Sequence, residues 1–123
     1  METASNPIIA NVRVSVGVID KSYKVIKAQS SEVDKEAIRS ILEIEAHGVH
    51  TWSNGPGYFY APHSHSYKKI LYCLSGSITF HLIDQNVDVV LMPGDRMELE
   101  PYTLHSAKVG SEGVVCIEGQ AKH

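Results

Sequence analysis

The sequence lacks the features that would direct it to a membrane or to nucleic acid. It has no basic run or arginine-rich stripe, and the formal charge of -3 over 123 residues gives no electrostatic signal for either partner. No apolar stretch approaches the length of a membrane span, and the N-terminus lacks the charged-then-apolar layout of a signal peptide. We therefore expect a cytoplasmic protein.

Cysteine is also scarce. The chain has two cysteines, Cys73 and Cys116, each within an apolar, strand-like run. Such thiols are more often buried and reduced than bridged, and a disulfide would require the two residues to face each other at short range. A chain of this length can bury a core without a disulfide, so residues 1–123 are expected to form a single domain in a reducing compartment.

The N-terminal part predicts a β-hairpin followed by one helix. Valines alternate with other residues over 12–18, which is the period-two pattern of a strand, and 23–29 is expected to form the second strand. Serines follow as candidate helix caps, apolar residues then recur at helical spacing, and Gly48 marks the end. We predict one amphipathic helix over about 32–47.

Short strands and turns are predicted from Gly48 onward. Turn-forming residues mark 84–86 and 93–95 as tight turns, and 53–57 has the composition of a loop. Many short strands at this spacing are typical of a jelly roll or a barrel. The predicted strands are 70–74, 78–83, 87–91, 96–100 and 113–118.

Two histidines separated by one residue, His63 and His65, stand out among the polar side chains. Alternate residues of a strand share a face, so this pair can chelate one divalent ion. The surrounding segment resembles the first motif of the cupins, whose order is Gly, five residues, His-x-His, three residues, Glu, six residues, Gly. Gly57 and Gly76 stand at the framing positions, and Lys69 stands where the family has Glu.

A second segment resembles the second cupin motif. That motif runs Gly, five residues, Pro-x-Gly, two residues, His, three residues, Asn, and Gly94 and His105 are in register with it. The departures are Glu100 at the Pro position, Tyr102 at the Gly position and Val109 at the Asn position.

The resemblance implies an all-β fold, a double-stranded β-helix or cupin jelly-roll barrel, with the N-terminal β-hairpin and one short α-helix added to it. Residues 48–119 would form the barrel core and 1–47 the N-terminal strands and helix. By position, His63, His65 and His105 would bind a divalent metal such as Fe, Mn, Ni or Zn inside the barrel.

Lys69 is the departure that bears most on the chemistry. Strand parity places it inside the barrel with Leu71 and Cys73, whereas Ile70, Tyr72 and Leu74 are expected to face the other sheet. A charged ammonium about 4 Å from a divalent ion would be repelled by roughly 8 kcal/mol at an effective dielectric constant near 20. Lys69 is also a candidate catalytic residue, as a base or as a Schiff-base nucleophile.

Three functions remain open from the sequence. The first is a metal-dependent enzyme on a small organic molecule, dioxygenase-like or isomerase-like. The second is a metal-free pocket in which Lys69 and the histidines bind a small anion. The third is a barrel that serves ligand sensing or dimerisation.

Four further residues near the motifs have expected positions. His81 either lines the pocket or faces solvent, of which we expect the second, and Trp52 is expected to anchor a loop rather than to serve as a stacking platform. Glu98 and Glu100 share a strand face that could supply a carboxylate ligand from another strand.

A homodimer is expected from the valine-rich strand over 12–18. An unpaired strand of this kind is prone to aggregation, and pairing with a second subunit would remove that liability. The alternative is that the strand folds back on its own sheet.

Overall fold

One helix and seven strands make up the described part of the chain, residues 20–122 of a computed structural model. The predicted strand over 12–18, and with it the N-terminal hairpin, lies outside the described residues. The elements in chain order are β1 (Tyr23–Ile26), α1 (Lys35–Glu45), β2 (Ala46–Asn54), β3 (Phe59–His63), β4 (Lys69–Leu82), β5 (Val87–Leu91), β6 (Arg96–Leu99) and β7 (His105–Ala121).

Two long central strands, β4 and β7, run through both halves of an antiparallel barrel. They pair along their length, from Lys69 opposite Gln120 to Leu82 opposite His105. The strand order in one half is β1-β6-β4-β7-β2, whereas β5 pairs with the second part of β4 and β3 with the first part of β7. The expected all-β fold, a double-stranded β-helix, is therefore confirmed.

Glycines allow β4 and β7 to pass from one half to the other. Gly76 and Gly113 have φ angles of 73° and 79°, which side chains rarely adopt. A Cβ on Gly76 would lie 2.0 Å from the carbonyl oxygen of Gly113, so the strands can cross this closely only without one. The prediction of two separate strands over 70–74 and 78–83 is wrong for this reason, because the chain bends at Gly76 without ending the strand.

The helix covers one outer face of the barrel. It begins one turn later than expected, since the carboxylate of Asp34 accepts a hydrogen bond from the amide of Ala37 at 3.0 Å and caps it. Leu42 is fully buried against a small apolar cluster, which contains Ile70, Tyr72, Leu74 and Ile117. Ile70, Tyr72 and Leu74 of β4 were expected to face the other sheet. This expectation is wrong, because they pack beneath α1.

The main core lies inside the barrel. Leu71, Cys73, Ile78, Phe80 and Leu82 of β4 point into it, together with apolar residues of β5, β6 and β7. Both cysteines are free and buried there. Within residues 20–122, no helix is long and apolar enough to cross a bilayer.

Candidate metal site

Three histidines meet at one end of the barrel interior. His63 is the last residue of β3, His65 follows in the loop, and His105 is the first residue of β7 directly opposite His63. Their candidate ligand nitrogens all lie within 4.8 Å of one another. The ring centroids are 4.4 Å apart for His63 and His105, 4.9 Å for His63 and His65, and 5.4 Å for His65 and His105.

Backbone carbonyls hold two of the rings in the orientation that a metal requires. The Nδ1 of His63 lies 2.7 Å from the Ala61 oxygen, and the Nδ1 of His105 lies 2.8 Å from the Thr103 oxygen. A carbonyl can only accept, so each Nδ1 carries the proton and each Nε2 keeps its lone pair. Among residues 20–122, the buried Nε2 atoms of His65 and His105 have no hydrogen-bond partner.

Their surroundings keep the rings of His65 and His105 neutral. Burial, and then the positive charge of Lys69, lowers the pKa of His65 to about 4. Burial also lowers the pKa of His105. An imidazole must be neutral to bind a metal ion, so both rings are ready to ligate at pH 7 without losing a proton. The donor set therefore fits a divalent ion.

Lys69 points into the barrel and forms an ion pair there. Its Nζ lies 3.3 Å from Oε2 of Glu118, and both residues are buried, at 8% and 7% exposure. The other carboxylate oxygen of Glu118 accepts a hydrogen bond from the indole Nε1 of Trp52 at 2.7 Å. Glu118 thus compensates the lysine charge inside the barrel.

Glu118 and Trp52 are the site residues that sequence reasoning missed. Trp52 was expected to anchor a loop, but it lies on β2 and faces the cavity. Glu118 pairs in register with Leu71, one pleat from Lys69. Strand alternation alone shows which residues of β7 share a face, but the contact with Lys69 depends on the register between β4 and β7.

The cavity beside the histidines is small and has mainly aromatic and aliphatic walls. Its volume is about 260 Å³. The rings of Trp52 and Tyr60 pack edge to face with centroids 5.6 Å apart. The lining residues are His63, His65, His105, Lys69, Glu118, Trp52, Tyr60, Ile78, Phe80 and Ala107.

The other acidic candidates lie outside this cavity. Glu98 and Glu100 both contact the ammonium of Lys68, at 3.3 and 3.2 Å, and Glu98 also accepts hydrogen bonds from Arg96. The hypothesis that one of them supplies a carboxylate ligand is therefore wrong. His81 also lies outside the cavity, with its side chain partly exposed, and its Nδ1 lies 2.7 Å from Oδ1 of Asp88.

A tight turn before β7 connects the two motifs. Tyr102 occupies the position where the second motif has Gly, and it retains a positive φ of 65°. Its amide donates to the carbonyl oxygen of His65 at 2.7 Å. The turn thus fixes the loop that carries His65 beside the strand that begins at His105.

Comparison with known proteins identifies the fold. No family model and no curated protein matches the sequence. Among solved structures, an RmlC-like cupin from Shewanella frigidimarina has a TM-score of 0.53 at 20% identity over 61% of this chain and 65% of that one. A conserved protein with a double-stranded β-helix domain from Klebsiella pneumoniae has a TM-score of 0.53 at 25% identity over 59% and 64%.

A longer alignment comes from a mutant of the 3,4-ketoisomerase QdtA from Thermoanaerobacterium thermosaccharolyticum, in complex with TDP-4-keto-6-deoxyglucose. It has a TM-score of 0.59 at 16% identity, over 85% of this chain and 83% of that one. The chain spans less than two thirds of the length of the Shewanella and Klebsiella proteins. These alignments show that the chain shares the double-stranded β-helix architecture and folds as a small cupin domain.

Proposed function

We propose that this protein is a metal-dependent cupin in which His63, His65 and His105 bind one divalent ion and the adjoining cavity binds a small organic molecule. The observation that carries the proposal is the pair of buried Nε2 atoms on His65 and His105, which have no partner among residues 20–122. A buried polar atom without a hydrogen bond is costly, and a metal ion would satisfy both atoms at once. The carbonyls behind His63 and His105 already select the required tautomer.

The ion pair of Lys69 favours this proposal over the metal-free alternative. In that alternative, Lys69 and the histidines would bind a small anion without catalysis. However, Glu118 compensates the ammonium at 3.3 Å, and burial keeps His65 neutral. The pocket without metal therefore offers an anion little net attraction.

The chemistry that we propose is that of an oxygenase, with isomerase-like chemistry as the second candidate. Three protein ligands leave open coordination positions, where a bound ion would act as a Lewis acid or, for iron, as a redox centre. The residues of the chain would perform the binding steps. Trp52, Tyr60 and Phe80 would exclude water and hold the apolar part of the substrate, and Lys69 would donate a hydrogen bond to its polar end.

A calorimetric metal titration tests the proposal. We expect wild-type protein to bind Ni²⁺ or Zn²⁺ at about one site per chain. His105→Ala should weaken this binding by at least about 100-fold, because two remaining imidazoles cannot replace the lost ligand. His81→Ala is the matched control, since His81 is a partly exposed histidine outside the cavity, and it should bind like the wild type.

Equal metal affinity in wild-type protein and His105→Ala would overturn the proposal. If His105→Ala fails to fold, His63→Ala provides the same comparison at a less buried position.

We further propose that the protein is a cytoplasmic homodimer. The support is the valine-rich segment over 12–18, whose period-two pattern predicts a strand that needs a partner. Light scattering coupled to size exclusion would show a single species of twice the chain mass, and a monomer at micromolar concentration would contradict the proposal.

A further inference from the structure

The charges around the cavity cancel before any ligand enters. Lys69 and Glu118 are the charged residues among its lining groups, and they form an ion pair. The three histidines are neutral when they ligate a metal. The remaining lining residues are aromatic or aliphatic, so the protein contributes no net charge to the cavity.

A divalent ion on the three histidines would therefore keep both of its charges. In metal sites that include a ligating carboxylate, the carboxylate reduces the charge of the ion. Here Lys69 stands at the position where the cupin motif has a ligating Glu, and Glu118 contacts Lys69 and Trp52 instead. A buried charge without compensation is unfavourable. The compensation must then come from the molecule that enters the cavity.

We propose that the ligand of this pocket is a compact organic monoanion, such as a small carboxylate, and that it binds only when the metal is present. This inference rests on the proposed metal site. The cavity of about 260 Å³ is below the usual range for drug-sized ligands, which limits the molecule to a small body. Trp52, Tyr60 and Phe80 line the space beside the histidines and match an apolar body rather than a second polar group.

The Lys69–Glu118 pair sets the preference for a single negative charge. An ammonium has three N–H donors, so Lys69 can contact Glu118 and still donate to one anionic oxygen. A second negative charge on the ligand would lie against the aromatic and aliphatic walls, which would leave it unsolvated. Dianions and neutral molecules of the same size should both bind less tightly.

Three small aromatic probes that differ in charge test the inference: benzoate as monoanion, phthalate as dianion and benzyl alcohol as neutral compound. Trp52 is the single tryptophan of the chain and lines the cavity, so its fluorescence reports binding in metal-free and Zn²⁺-loaded protein. With Zn²⁺, benzoate should bind at least about tenfold more tightly than either other probe. Removing Zn²⁺ should weaken benzoate binding by at least about tenfold.

Two substitutions should change benzoate binding in opposite directions. Lys69→Gln removes the ammonium charge and leaves Glu118 to compensate the metal, so benzoate affinity of the Zn²⁺-loaded protein should fall about tenfold. Glu118→Gln leaves Lys69 uncompensated, so the metal-free protein should gain benzoate binding. Lys68→Gln is the matched control, because the ammonium of Lys68 contacts Glu98 and Glu100 outside the cavity.

The outcomes separate this inference from the proposed function. Failure of wild-type protein to bind Zn²⁺ in calorimetry would overturn both. If Zn²⁺ binds normally, the proposed metal site stands. In that case the ligand class alone would be overturned if benzyl alcohol or phthalate bound as tightly as benzoate. It would also be overturned if metal-free protein bound benzoate as well as Zn²⁺-loaded protein does. If Glu118→Gln does not fold, the comparison of Lys69→Gln with Lys68→Gln decides the role of the ion pair.

Discussion

Among single residues, Lys69 and Glu118 most affect what the pocket can bind. An isolated ammonium about 4 Å from a divalent ion would be repelled by roughly 8 kcal/mol at an effective dielectric constant near 20. The carboxylate of Glu118, 3.3 Å from the ammonium, also attracts the ion and so offsets part of this repulsion. A lysine at a position usually held by a ligating acid is therefore compatible with a metal site on the three histidines.

Lys69→Glu should raise metal affinity. The substitution removes a positive charge from the cavity and places a fourth potential ligand beside the three imidazoles, so we expect Zn²⁺ to bind at least about tenfold more tightly in calorimetry. Lys68→Glu introduces the same charge change outside the cavity and should have little effect. A Lys69→Glu protein that binds Zn²⁺ no better than Lys68→Glu would show that residue 69 cannot reach the ion.

The metal-free protein should lose stability as the pH falls from about 6.5 to about 4. The pKa of His65 is about 4 in the folded protein, against an ordinary value of 6.5. Above pH 6.5 the ring is neutral in both states and contributes nothing, whereas below it the unfolded chain binds a proton that the folded chain does not. The free energy of unfolding should decrease by at most about 3 kcal/mol across this window.

Urea denaturation across this pH range measures the effect. His65→Gln should reduce the pH dependence, whereas His81→Gln, at a partly exposed histidine outside the cavity, should retain it. Equal pH dependence in wild-type protein and His65→Gln would show that His65 titrates normally in the folded state.

Among the elements, the turn before β7 contains a strained backbone conformation that a glycine would relieve. Tyr102 has a φ of 65°, a conformation that costs a non-glycine residue roughly 1–2 kcal/mol. Its side chain is 72% exposed, so little packing would be lost on its removal. Tyr102→Gly should therefore increase the free energy of unfolding by up to about 1 kcal/mol, despite the added entropy of the unfolded chain.

Chemical denaturation of Tyr102→Gly and Tyr102→Ala separates the effect of relieving backbone strain from the effect of removing the tyrosine ring. Alanine removes the ring but retains the Cβ and the strain, so only glycine should stabilise the protein. A Tyr102→Gly protein less stable than Tyr102→Ala would show that the positive φ carries no strain.

The elements also show how far the sequence predicts this structure. Alternating apolar residues and turn-forming residues located most strands and the turns at 84–86 and 93–95. They did not predict that β4 continues through Gly76, because this depends on the close approach of Gly113 from a distant strand. The helix was predicted to start near 32, but the capping contact of Asp34 places its first residue at Lys35.

For the molecule as a whole, the spacing of the two motifs was sufficient to predict that the three histidines lie close together. The two cupin motifs placed His63, His65 and His105, and the barrel holds their ligand nitrogens within 4.8 Å of one another. The contribution of Glu118 was not predictable, since it lies beyond both motifs and meets Lys69 only through the pairing of β4 with β7. The role of the three histidines as metal ligands stays a prediction.

Elemental analysis of the purified protein tests the central claim most directly. Cells should be grown with added iron, manganese, nickel and zinc, and the protein purified without chelators. We expect about one divalent transition metal per chain in wild-type protein, and iron in particular if the chemistry is that of an oxygenase. The same amount should be found in His81→Ala, and almost none in His105→Ala. Wild-type protein with no more metal than His105→Ala would contradict the account.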